Sequence, residues 1–238
     1  MNIHLITTCY NEEKMLPYFL KHYSFCDLIT VYDNESTDKS LKIINSYPNT
    51  EVISFSTGDK FDELTIVKIK NDTYKLDRSY DWVIICDIDE FLYHPNLLQK
   101  LDEYKDWGVT VPLTEGFNMF TDKFSKNKYP IHKILKRGKY AENYCKSVIF
   151  SPKVDINYDI GCHTCNPQGE VYTKDERELK VLHWRYPSYK YFIKKRKLFA
   201  DRLSENNIKN NWGTQSYITS KMTKREYNEI GKTMDKIL

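Results

Sequence analysis

Long apolar runs are missing from this chain. Its longest apolar stretches are about six residues, against the roughly 20 that a helix needs to cross a bilayer, which excludes a membrane-spanning helix. A signal-peptide pattern is missing as well. The sequence opens on the strand-like run Ile3 to Cys9, without basic, apolar and small-residue regions in succession, so the expectation is a cytoplasmic protein. Charge of one sign is scarce: 36 Lys and Arg stand against 33 Asp and Glu, a net +3, too little to argue for a nucleic-acid partner. Six cysteines, at 9, 26, 86, 145, 162 and 165, show no disulfide framework. Several lie in apolar runs, where cysteine serves as a small buried hydrophobe. Glycine is absent between Thr7 and Glu13, which argues against the Gly-rich phosphate loop of a nucleotidyltransferase. No internal repeat or linker breaks the 238 residues, so one domain with one substantial core is expected.

What is present begins with alternation. Strand-like segments at Ile3–Cys9, Leu28–Tyr32, Glu51–Phe55 and Trp82–Cys86 are separated by helical patterns. Met15, Leu16, Phe19, Leu20 and Tyr23 repeat at helical spacing. Ser36 or Asp38 can cap a helix carrying Leu41, Ile44 and Tyr47, and a third helix covers Asp62 to Leu76. This order requires crossovers and so a parallel, doubly wound sheet, with ligands beyond the carboxyl ends of its strands. The second half predicts short strands at Val109–Leu113, Ile131–Lys136, Ser147–Phe150, Glu170–Thr173 and Leu179–Trp184. It also predicts a functional loop from Thr114 to Pro130, a basic helix from Pro187 to about Glu205, and a last helix from Thr223 with Glu226 completing a capping box.

The strongest chemical signal is Trp82-Val83-Ile84-Ile85-Cys86-Asp87-Ile88-Asp89-Glu90-Phe91, a buried strand running into three carboxylates. Such a cluster repels itself unless a cation neutralises it. At the carboxyl edge of a parallel sheet, a hard divalent ion bridging a diphosphate is the natural solution; a solvated acidic turn is the plain alternative. Val31-Tyr32-Asp33-Asn34-Glu35-Ser36-Thr37-Asp38 ends another strand, and Asp33 at its tip can accept hydrogen bonds from a uracil or ribose, or serve ordinary turn chemistry. Thr7-Thr8-Cys9-Tyr10-Asn11-Glu12-Glu13 ends the first strand and also suits a loop opening a helix.

Taken together, Cys9-Tyr10-Asn11-Glu12, Asp33-Asn34-x-Ser36-x-Asp38 and Trp82-Val83-Ile84-x-x-Asp87-x-Asp89-Glu90-Phe91 resemble the family 2-like glycosyltransferases. They are most similar to the branch with D-x-D-E-F, which also resembles the family 92 enzymes. The resemblance is specific over roughly the first 95 residues. It implies an α/β GT-A (Rossmann-like) fold with a mostly parallel central sheet flanked by helices, a smaller mixed acceptor half and C-terminal helices. Residues 1–95 would form the nucleotide-sugar-binding half, 96–186 the acceptor half and 187–238 the C-terminal helices of one domain. It further implies a nucleotide-sugar donor on Thr8, Cys9, Asn11, Glu12, Asp33, Asn34, Asp87 and Ile88, with Mn²⁺ or Mg²⁺ on Asp87 and Asp89.

His183, in Val181-Leu182-His183-Trp184-Arg185-Tyr186, is similar to the H-Y-R segment of these transferases. A neutral imidazole suits a third metal ligand, Arg185 a diphosphate, and a packed strand histidine is the plain alternative. Lys146, in K-S-V-I, matches a pattern of the family and is a further donor-binding candidate, or else a snorkelling side chain. Gly161-Cys162-His163-Thr164-Cys165 hints at zinc but lacks a second spaced pair; His163 is kept as an acceptor candidate. The family's E-D base pair is not found. Glu115 is the first choice for general base and Asp159 the second. The tract Tyr189 to Phe199 mixes aromatics with cations, reading as a peripheral contact with an anionic membrane, an approach to donor phosphates, or a solvated face.

The reading is therefore a metal-dependent transferase moving a sugar, by resemblance from a UDP-sugar, to a saccharide or lipid-linked acceptor. Its rivals are a haloacid-dehalogenase-type phosphohydrolase, with Gly58-Asp59-Lys60-Phe61-Asp62 as the second acidic motif in the wrong order, and a sugar-nucleotide-binding protein without turnover.

Overall fold

Four apolar segments alternating with helices build the first sheet of the computed structural model, which describes residues 1–125 and 130–238. In chain order these elements are β1 (Ile3–Cys9), α1 (Leu16–His22), β2 (Leu28–Asp33), α2 (Ser40–Ile44), β3 (Thr50–Ser54), α3 (Glu63–Asp72) and β4 (Trp82–Ile85). The strands lie in the order β3-β2-β1-β4, all parallel, with Cys9 opposite Asp33 and Ile6 opposite Ile85. Burial explains the hydrophobic runs: Leu5, Ile6, Ile29, Val31, Val83 and Ile84 are fully enclosed, as strands covered on both faces require. The register brings Cys9, Asp33 and the residues after Ile85 to one edge.

The chain then changes sheet. Next come β5 (Glu90–Tyr93), α4 (Leu97–Asp106), β6 (Thr114–Phe120), β7 (Arg137–Tyr140), β8 (Ile149–Phe150), β9 (Val154–Asp155), β10 (Gln168–Gly169) and β11 (Leu179–Tyr186). After them follow α5 (Tyr189–Asp201), α6 (Glu205–Lys209), α7 (Gln215–Thr219), α8 (Lys224–Lys232) and β12 (Asp235–Lys236). Strand β8 closes the first sheet antiparallel to β4, and β9 and β10 form a short ribbon. The second sheet is mixed, ordered β12-β7-β6-β11-β5, with β6 and β11 parallel. Residues 86–89 are thus the link between the two sheets. The Asp89 carbonyl accepts from Trp184 N at 2.7 Å, and Glu90 N donates to the Asp87 carbonyl at 2.9 Å. Trp82, Phe91, Trp184 and Tyr23 fill the core behind this link. Tyr23 is satisfied there, its hydroxyl donating to the Glu90 carbonyl and accepting from Leu92 N.

Several expectations for the second half are corrected. Val109–Leu113 is not a strand; its valines are buried, but Thr110 N and Val111 N both donate to the Tyr172 carbonyl and make no ladder. Thr114–Pro130 does not open as a loop, because Thr114–Phe120 is β6; residues 126–129 of that stretch lie outside the described residues. Ile131–Lys136 begins with a 3₁₀ turn, Ile131–Lys133, rather than a strand. The ribbon strand falls at Gln168–Gly169, not Glu170–Thr173, and only Ile149–Phe150 of Ser147–Phe150 is paired. β6 hides its nature because Glu115, Gly116 and Asn118 are poor strand formers. Gly116 is required sterically: a Cβ there would lie 2.2 Å from the carbonyl carbon of Tyr144.

Replacing Gly116 by Ala must therefore push the Tyr144 backbone off β6. A loss of about 1–3 kcal/mol is expected, with melting lowered by roughly 2–4 °C for each kcal/mol. An unchanged melting temperature would contradict the packing described.

Candidate functional site

The acidic turn between the sheets is held by lysines from three separate elements. Lys70 of α3, itself buried, places Nζ 2.6 Å from Asp87 Oδ1. Lys146, in the loop before β8, places Nζ 2.6 Å from Glu90 Oε1, both side chains enclosed. Lys195 of α5 bridges Glu12 Oε1 at 2.7 Å and Asp89 Oδ2 at 3.1 Å. Burial alone drives these ammonium groups toward neutrality, but the facing carboxylates outweigh it and raise all three lysines above their ordinary range. Burial likewise pushes Asp87 up, yet Lys70 and Lys146 hold it down at about 2. Asp89 stays well below the usual carboxylate range, the effect of burial being overcome chiefly by Lys195. Glu12 and Glu90 go the other way, raised by burial despite their lysines. Glu90 also closes the turn, Oε2 accepting from Asp87 N at 3.0 Å.

Beside Asp89 stands His183, buried on β11. Burial lowers its pKa to about 4, so the ring is neutral. Nδ1 lies 2.7 Å from Asn118 Oδ1, an acceptor, which puts the proton on Nδ1. The lone pair of Nε2 is left facing Asp89 Oδ2 at 3.7 Å and the Tyr144 hydroxyl at 3.5 Å. Orientation of an imidazole by a hydrogen bond on its far nitrogen is how ligating histidines are fixed. Tyr144 stacks on His183 at 4.1 Å, and His163 meets Tyr144 edge-on at 5.1 Å, its Nδ1 2.8 Å from the Asn143 carbonyl.

At the ends of β1 and β2, Asp33 is buried. Oδ2 accepts from Ser36 N at 2.9 Å, whereas Oδ1 is enclosed without a hydrogen-bond partner. A buried carboxylate oxygen in that state is an exception among buried polar atoms, which are nearly always paired. Asn11 adopts a left-handed conformation (φ 52°), and its Oδ1 accepts from Thr37 N and Asp38 N, so it shapes the loop around Asp33. Cys9 packs beside Ser36, its thiol pushed up by burial. Glu12 Oε2 accepts from the Tyr191 hydroxyl at 2.7 Å. Asn34 is spent on Thr57 and the Lys60 carbonyl. Thr8 is half-buried at the edge of β1, and Ile88 turns into the core.

The remaining candidates lie elsewhere. Glu115 pairs with Lys180, three residues before the Asn118–His183 pair, and strand alternation turns it to the face opposite Asn118; it does not join the cluster. Asp159 is exposed on a turn, its Oδ2 accepting from Thr164 at 2.6 Å. All six cysteines are free. Asp59 pairs with Arg202, and Asp62 caps α3, so the second acidic motif of a phosphohydrolase is absorbed structurally. On α5, Tyr191, Phe192 and Lys195 turn inward, leaving Lys190, Lys194 and Lys197 exposed. Lys70, Glu63, Asn118 and Tyr144 were not singled out from sequence, and Tyr191, Lys195 and Arg196 only as members of the Tyr189–Phe199 tract; most of their partners lie far along the chain. Glu63, half-buried near Lys70 and Asp87, is raised by burial to about 7.

Among the described residues no three His, Cys, Asp or Glu side chains converge as a ready metal cluster. The donor chemistry nonetheless fits a divalent ion. Asp89 is ionised, His183 presents a lone pair beside it, and the charges of Asp87 and Asp89 are now balanced by Lys70 and Lys195.

Comparison with known proteins adds the following. The family model of Glycosyltransferase family 92 matches residues 6–237. No curated protein matches the chain. Among solved structures, S. aureus TarS 1–349 with UDP-GlcNAc is 14% identical, over 97% of this chain and 70% of that one, with a TM-score of 0.47. The same fragment with UDP is 15% identical, over 96% and 78%, at 0.46. Glucosyl-3-phosphoglycerate synthase from Mycobacterium tuberculosis, with Mn²⁺, UDP and glucosyl-3-phosphoglycerate, is 17% identical, over 48% and 44%, at 0.34.

Two outcomes follow from the charges. Lys146→Met leaves Glu90 buried and unpaired and should cost about 3–5 kcal/mol; adding Glu90→Gln should recover a large share, as urea unfolding of the two variants would show. A double variant no more stable than Lys146→Met would contradict the pairing. His183 has a folded pKa of about 4, below the 6.5 of the free side chain, so on acidification the unfolded chain takes up the proton first. Its contribution is complete above pH 6.5 and is lost as the pH falls toward 4, by about 3 kcal/mol at most. Melting temperatures of His183→Gln should accordingly fall less steeply than wild type across that window.

Proposed function

The chain belongs to glycosyltransferase family 92, and from that membership we propose that it acts as one GT-A unit over residues 1–238, moving a sugar from a UDP-sugar to a saccharide or lipid-linked saccharide. The observation that carries the donor reading is the meeting of the Asp87–Asp89 turn with the ends of β1 and β2, where Asp33 keeps an unpaired buried oxygen. Asp33 Oδ1 is the acceptor offered to the imide N–H of uracil or to a ribose hydroxyl, with Thr8, Cys9 and Asn11 shaping the walls.

Asp89, His183 and Asp87 would hold Mn²⁺ or Mg²⁺, which when bound offsets charge on the leaving diphosphate. The protein's own groups prepare for this. Lys70 and Lys146 keep Asp87 ionised, and Asn118 keeps the His183 lone pair aimed at Asp89. Lys195 neutralises Asp89 and Glu12 while the donor is absent and is free to follow the negative charge when it arrives. Arg185, at the end of β11, supplies a guanidinium for the phosphates. The acceptor enters past His163, whose exposed ring suits a sugar face. No helix of the described residues is long and apolar enough to cross a membrane. The proposed location is cytoplasmic, with Lys190, Lys194 and Lys197 on the outer face of α5 available to an anionic surface.

Calorimetric titration with UDP tests the donor site. Wild type should bind UDP more tightly with Mn²⁺ than without, and Asp89→Asn should lose that gain, about 10-fold or more. Asp33→Asn should weaken both UDP and uridine. Failure of wild type to bind any nucleoside diphosphate in the presence of metal would overturn the proposal.

A further inference from the structure

Each lysine around the acidic turn has its carboxylate, but two arginines beside it have none. Arg185 leaves the end of β11 and Arg196 lies one turn along α5 from Phe192. With Asp89, Trp184, Tyr191 and Lys195 they line a cavity of about 10 Å³, room for one oxygen-sized group. Among the described residues, neither guanidinium has a carboxylate within ion-pair distance, whereas Lys70, Lys146 and Lys195 are paired at 2.6–3.1 Å. Arg196 Nε is enclosed and has no hydrogen-bond partner; its nearest recorded aromatic contact is the Phe192 ring, 5.5 Å from the guanidinium carbon. Burial, then repulsion from Arg185, lower Arg196 to about 10, which still leaves it charged at neutral pH. The two adjacent cations repel each other, and Asp89, already paired with Lys195, offsets them only in part, so an arriving anion would relieve both that repulsion and the orphaned donor.

We propose that Arg196 and Arg185 together form an anion subsite that takes oxygens of a phosphate group carried by a reactant. Guanidinium forks match phosphate oxygens two at a time, and the cavity between them opens beside Asp89. The identity of the reactant rests on the transferase reading; the anion site itself does not. The phosphate belongs either to the diphosphate of the donor or to a phosphorylated or diphosphate-linked acceptor.

Titrations with inorganic pyrophosphate, UDP and uridine, in EDTA to keep metals out, separate these cases for wild type, Arg196→Gln and Arg196→Lys. The glutamine variant should bind pyrophosphate about 10- to 100-fold more weakly, the lysine variant should fall between, and uridine affinity should not move. A parallel loss for UDP identifies the donor diphosphate; a loss for pyrophosphate with UDP unchanged identifies an acceptor phosphate. Equal pyrophosphate affinity in wild type and Arg196→Gln, or no pyrophosphate binding at all, overturns the subsite. Arg185→Gln supplies the same comparison should Arg196→Gln fail to fold. Loss of uridine and UDP binding by wild type, with pyrophosphate still bound through Arg196, would remove the donor reading and leave the anion site standing.

Discussion

Four carboxylates, Glu12, Asp87, Asp89 and Glu90, crowd the junction of the two sheets, and the architecture depends on neutralising them. The lysines that do so come from α3, from the loop before β8 and from α5. Taking an ion pair out of water is costly, and removing one partner of a buried pair costs more than the pair contributes. Each lysine therefore fixes its element against the turn: α3 through Lys70, the Tyr144–Lys146 segment through Glu90, and the C-terminal helices through Lys195. Three ammonium groups face these four carboxylates, with a neutral His183 at their side.

That balance connects fold to chemistry. A turn that leaves one sheet and enters the other holds its backbone with Trp184 and Glu90, so its carboxylates are positioned by the core rather than by a loose loop. Lys146 and Glu90 are sealed in, a permanent pair. Asp87 is half-exposed, and Lys195 retains contact with solvent, so these pairs are open to charged groups from outside. The enclosed pair holds the frame, and the accessible pairs can rearrange.

The first sheet was legible in the sequence because β1 to β4 are continuous apolar runs punctuated by polar strand ends, a pattern that fixes both element type and the binding edge. Asp33, Asp87 and Asp89 stood out for the same reason. Of the second sheet only β11 was legible, from the apolar run Leu179–Trp184. β5 begins with Glu90, which reads as the last acid of a turn, and β6 contains Glu115, Gly116 and Asn118, chosen for a packing contact and a histidine hydrogen bond rather than for strand propensity. Lys70, Asn118 and Lys195 carry no local signal, since their partners lie 17, 65 and 106 residues away. The aromatic and basic run of α5 was ambiguous until its helix face was known.

The central claim is that the acidic turn is the centre of sugar transfer. The first test is UDP release from a panel of UDP-sugars with water or a simple saccharide as acceptor, followed with Mn²⁺ present and after its removal. Metal-dependent UDP release is expected from at least one UDP-sugar, falling at least about 100-fold in Asp89→Ala. Release that persists undiminished in Asp89→Ala would contradict it.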